Sequence, residues 1–156
     1  MRILIPVFLL FFTFISCSKK STCTSETPDF VIFGHFYGEC GGDKCIETYK
    51  LTPTSLLEDT LDVYAYPGFN EGSFDVNRDD KLDQVKDLLT RVPDVLLDQD
   101  STYLGQPDAG DWGGIYFEYK KDNFHKKWYI DMQDGNLAAK YRPFRDLIIE
   151  KIDLLQ

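Results

Sequence analysis

Only two histidines and two methionines occur in the 156 residues, and no apolar run is long enough to cross a bilayer. There is no Gly-rich phosphate loop, no nucleophile elbow and no HExxH helix. An active site centred on imidazole therefore has little material to draw on. His35 falls in a predicted strand and His125 in a predicted exposed turn beside Lys126 and Lys127. Positive charge is scarce as well: 17 Lys and Arg face 26 Asp and Glu, for a net charge of -9. That balance counts against a nucleic-acid partner, because phosphate recognition needs a basic face. Apolar residues, at 43%, and aromatics, at 15%, are plentiful. A chain of this length with that content can bury one core, which excludes the low-hydrophobicity disordered class.

The first seventeen residues have a pattern of their own. Arg2 supplies a positive start, and residues 3–15 are apolar except for Pro6 and Thr13. Such a stretch has the length of a signal-peptide core and is too short to span a membrane. It ends at Phe14-Ile15-Ser16-Cys17, which resembles the lipobox of bacterial lipoproteins. The resemblance implies cleavage before Cys17, diacylation of its sulfur and a membrane anchor, with residues 1–16 as the leader. Phe14 and Ile15 depart from the usual Leu and small residue. The rival is ordinary secretory cleavage after Ser18. Ser18 stands where some lipoproteins carry a retention Asp, so the resemblance points to the outer membrane, facing the periplasm. Residues 17–29 read as a lipid-anchored flexible tether, and residues 30–156 as a single domain.

Within that domain, residues 30–37 and 45–51 read as strands, joined by a Gly-rich turn. A third strand is expected at 61–66, after a turn at 53–59. The period changes at 79–92, where Leu82, Val85, Leu88 and Leu89 define one helical face that Pro93 closes. Strands at 115–119 and 127–132 form a hairpin. Pro143 opens a last helix with Phe144, Leu147, Ile148, Ile152 and Leu155 on one side. The expectation is an α+β fold, a small antiparallel sheet of about five strands covered by two helices, in the order β-β-β-α-β-β-α. Phe33-Gly34, Tyr37-Gly38-Glu39-Cys40, Cys45, Tyr49-Lys50-Leu51, Gly105-Gln106-Pro107-Asp108 and Gly113-Gly114-Ile115 together resemble a group of short bacterial envelope lipoproteins. That resemblance implies no activity.

Two constellations could carry chemistry. The run from Asp75 to Asp83 resembles the start of an EF-hand or dockerin calcium loop. Asp75, Asn77, Asp79 and Asp83 would supply side-chain oxygens, and Lys81 its carbonyl. Asp80 replaces the sharp-turn Gly and Lys86 the bidentate Glu, so calcium would bind weakly. The competing reading is an Asp-rich helix start. The second constellation is the loop with Asp108, Asp111 and Trp112, followed by Tyr116, which could form a binding patch or a plain turn.

Cys17 is assigned to lipid, which leaves Cys23, Cys40 and Cys45 in an oxidising compartment. Spacing favours a Cys40–Cys45 disulfide, against pairing with Cys23 or a zinc or redox pair completed by His35. Taken together, these readings predict a lipid-anchored envelope protein, not an enzyme. It would have no cofactor and would bind a protein or small-molecule partner or serve a structural role. A weak calcium module is the alternative, and a hydrolase with a hidden carboxylate site is the remote one.

Overall fold

The computed structural model describes residues 27–42, 44–63 and 68–156. The leader, Cys17 and Cys23 lie outside the described residues. Strand β1 (Phe30–Phe36) occupies the middle of the molecule, because β-branched and aromatic side chains fill both of its faces. It pairs antiparallel with β2 (Ile46–Leu51) on one side and with β6 (Gly114–Lys121) on the other. Gly34 lies where β1 and β2 come closest: a Cβ there would clash with the backbone of Glu47 and Thr48. Strand β3 (Leu56–Asp59) follows β2 after a tight turn held by Thr52, whose Oγ1 accepts the N–H of Ser55 at 2.9 Å. Strand β4 (Phe74–Asn77) adds to β3. Strand β7 (Phe124–Asp131) closes a hairpin with β6. The two-residue β5 (Tyr103–Leu104) then runs parallel to β7.

Among the described residues, seven strands thus form one mixed sheet, in the order β4-β3-β2-β1-β6-β7-β5. The expected five-stranded antiparallel sheet under two helices is overturned. Strand β3 lies inside the segment read as a turn, since the Thr52–Ser55 turn is complete by residue 55. Leu61 to Val63 lie outside any strand, and 64–66 are outside the described residues. The predicted helix at 79–92 is broken into a 3-10 turn, a single α turn α1 (Leu82–Val85) and a second 3-10 turn. After Pro93 comes another short turn, α2 (Asp94–Leu97).

Among the described residues, only α3 (Arg142–Asp153) is a full helix, with Pro143 in its first turn as expected. Its buried face packs on β1 and β6, where Phe144 meets the Phe117 ring edge-on at 4.9 Å. This helical side holds the larger core, with Val31, Phe33, Leu51, Ile115, Trp128 and Ile148. Lys151 is buried on the same side, with its Nζ 2.9 Å from Asp87 and donating to the carbonyl of Gln84. The opposite face of the sheet carries a smaller cluster, Ile32, Phe36, Tyr116 and Tyr129. Residues 68–73 cross part of that face as a strap.

Candidate functional site

Three places carry polar side chains in unusual settings. The first lies beneath the strap. Alternation along β6 and β7 turns Tyr116, Glu118, His125 and Lys127 toward the same face. Glu118 is only 1% exposed, a costly position for a carboxylate unless every lone pair finds a donor. Here the donors are present. The Tyr116 hydroxyl and the Asn70 N–H donate to Oε2, and His125 Nε2 donates to Oε1 across 2.8 Å. Phe69 stacks on the His125 ring, with centroids 3.7 Å apart and planes 9° from parallel. Lys127 donates to the Gly68 carbonyl, and Asn70 Nδ2 donates to Thr48.

Burial, and then the Glu118 carboxylate beside it, pushes the Tyr116 phenol well above its usual range. Burial also lowers Lys127, against the opposing pull of Glu118. A Glu–His pair open to a substrate can move protons. Here the carboxylate is sealed from solvent and Phe69 covers one face of the imidazole, which stays about 29% exposed. The adjoining cavity, lined by Tyr116, Asn70 and Thr48, measures about 10 Å³, room for a single water at most. His125, read from sequence as an exposed turn residue, is a half-buried strand residue under Phe69. Glu118 is not legible in the sequence, because a single acid in an apolar strand has no local signature.

The second place is the 105–113 loop. Asp108 and Asp111 have φ of 64° and 62°, and Gly110 and Gly113 are also positive. Asp108 Oδ1 accepts the N–H groups of Gly38 and Gly113, at 3.2 and 3.1 Å, which staples this loop to the turn after β1. Trp112 projects from it, 64% exposed. The loop therefore brings Asp108, Asp111 and Trp112 together. Tyr116 does not join them: it is buried under the strap with Glu118.

The third place is an open cleft of about 240 Å³ between the end of α3 and the β1–β2 turn. Ile115, Met132, Ile149 and Ile152 line it, together with His35, Lys44 and Asp153. Cys40 and Cys45 are joined by a disulfide with a Cα separation of 5.6 Å, as their spacing suggested. The bond closes the turn that carries Lys44, whose carbonyl accepts His35 Nε2 at 3.0 Å. Both cysteines are thereby bonded to each other and this histidine to the Lys44 carbonyl, so the three do not form a zinc site.

The Asp75–Asp83 run does not fold as a calcium loop. Asp75 and Asn77 belong to the extended β4, so their side chains cannot converge around one turn. Asp79 Oδ1 accepts the Leu56 N–H at 2.8 Å, Asp83 pairs with Lys86, and Lys81 Nζ reaches the Leu154 carbonyl. Among the described residues, no group of three or more His, Cys, Asp or Glu could hold a metal ion. No helix of the described residues is long and apolar enough to cross a membrane. No family model, curated protein or solved structure matches the chain.

Proposed function

We propose that this chain is a lipid-anchored cell-envelope protein, held by acylated Cys17 at the outer membrane and facing the periplasm. In this reading it acts through binding or structural contact rather than catalysis. The observation that carries the reading is the leader: Arg2, a thirteen-residue apolar stretch and Ser16-Cys17. A non-catalytic role is supported by the state of the buried polar groups. Among the described residues, the cluster with acid–base character lies under Phe69 and spends its donors on itself. Surface open to a partner lies at the other end of the sheet, in the cleft beside Lys44 and the loop that presents Trp112.

Intact-mass measurement of the chain purified from membranes tests the anchor. The expected species starts at Cys17 and carries acyl mass. A mature protein starting at Lys19 with no added mass would rule the anchor out.

A further inference from the structure

We propose that the cleft between the end of α3 and the β1–β2 turn binds a free aliphatic α-amino acid of about the size of leucine. The inference rests on the reading of this chain as a binding protein and deepens it by naming the class of ligand.

The cleft is built from parts that are already fixed. Ile115 and Ile152 are buried in the core, and with Met132 and Ile149 they give the cleft an apolar floor. His35 borders that floor, but its Nε2 is committed to the Lys44 carbonyl. Tyr37 forms part of the wall, and its ring lies so near Gly113 that a Cβ there would clash with it. Lys44 stands in the turn closed by the Cys40–Cys45 disulfide. The Tyr37 N–H, donating to the Cys45 carbonyl at 2.9 Å, ties that turn to the end of β1. A site held in this way loses little freedom when a ligand enters.

The rim carries one charge of each sign, Lys44 and Asp153, both exposed. Among the described residues, neither the Lys44 ammonium nor the Asp153 carboxylate has a bonded partner. The charged groups around them are engaged. Glu47 accepts Gln156 Nε2 at 2.6 Å, and Glu150 pairs with Lys151 at 3.5 Å. Lys81 and Arg78 reach the same helix end, where they donate to the carbonyls of Leu154 and Leu155. Asp153 is the last residue of α3, a position where the helix dipole disfavours an anion. Its carboxylate therefore brings the fold no bond and an unfavourable field. An incoming ammonium would be attracted by both the carboxylate and the helix end.

An apolar floor bordered by an unpaired ammonium and an unpaired carboxylate complements a zwitterion with an apolar body. A plain anion would meet Asp153 and a plain cation would meet Lys44, so a ligand of single sign faces repulsion from one of them. Size narrows the class. The cleft of about 240 Å³ equals roughly eight waters at ~30 Å³ each, and an aliphatic amino acid has about that many non-hydrogen atoms. Met132, unbranched and adaptable, lets the floor fit different aliphatic shapes.

Calorimetric titration of the full chain, purified from membranes in detergent, gives the test. L-Leucine should bind saturably, with half-saturation at about 1 mM or below. Glycine, which lacks the apolar body, should bind at least about tenfold more weakly. So should 4-methylpentanoate, which lacks the ammonium, and 3-methylbutylamine, which lacks the carboxylate. Asp153→Asn should weaken leucine roughly tenfold and leave 4-methylpentanoate unchanged, so that the two ligands become equal. Lys44→Gln should do the same for leucine and 3-methylbutylamine. Both residues are exposed, and melting curves of the variants should match the wild type. Absence of saturable leucine binding overturns the ligand, as does equal binding of leucine and 4-methylpentanoate by the wild type. Either result leaves the anchor, which intact mass reports, standing. Leucine that binds but is recovered chemically altered would support the site and overturn the non-catalytic reading.

Discussion

Asp108 accepts the N–H groups of Gly38 and Gly113, and Asp131 does the same for Gln106 and Gln133 at 2.7 Å each. Asp79 serves Leu56, Asp59 serves Leu61, and Glu118 serves Asn70. The acidic excess is thus put to structural use: carboxylates terminate strands and fasten loops by accepting backbone donors that would otherwise lose their water. Glu118 is the extreme case, since its only alternatives are these donors or an unsatisfied charge. Glu118→Gln keeps one carbonyl oxygen and places an amide donor toward groups that themselves donate. We expect it to cost about 1–3 kcal/mol of stability and to speed exchange of the Asn70 amide. A variant that melts with the wild type would show that the latch contributes nothing. None of this pairing was legible beforehand, because Asn70 and Glu118 are far apart in sequence and an isolated acid announces no partner.

Elements with a long, regular pattern were legible. Helix α3 shows its buried face at three- and four-residue steps, and β1, β6 and β7 are dense enough in aromatic and β-branched residues to be located to within a few positions. The short pieces were not. β3 and β4 have four residues each and β5 has two, too few for any period to be established. Leu82, Val85, Leu88 and Leu89 do mark a buried side, yet 3-10 turns place them as well as an α-helix would.

Asp79 illustrates what such a short element depends on. The Leu56 N–H, and after it the Asn77 amide, hold its carboxyl below the usual carboxylate range. A folded-state value lowered in this way stabilises fully above the ordinary range, and the contribution is lost as pH falls through the lowered value. Melting curves between about pH 5 and pH 2 should therefore show the wild type losing its advantage over Asp79→Asn as acid is added. A constant gap between the two curves would count against the bond.

At the scale of the whole molecule, the disulfide closes a turn that the sheet already brings together, so its role is local. Replacing Cys40 and Cys45 with Ser should lower stability by about 2 kcal/mol. The melting temperature should fall by roughly 5–10 °C. The far-UV signature of the sheet should survive, because β1 and β2 pair through six residue positions without it. Collapse of the sheet in that variant would mean the cross-link organises the fold.

The borders of the sheet carry a different consequence. Its two outermost strands are both short, two residues in β5 and four in β4, and the register slips between Glu58 and Asp59 next to β4. A neighbouring copy would find at either border too few aligned amides and carbonyls to continue the ladder. Crowding, the condition under which exposed sheets template one another into fibrils, therefore meets a protein whose sheet stops on both sides.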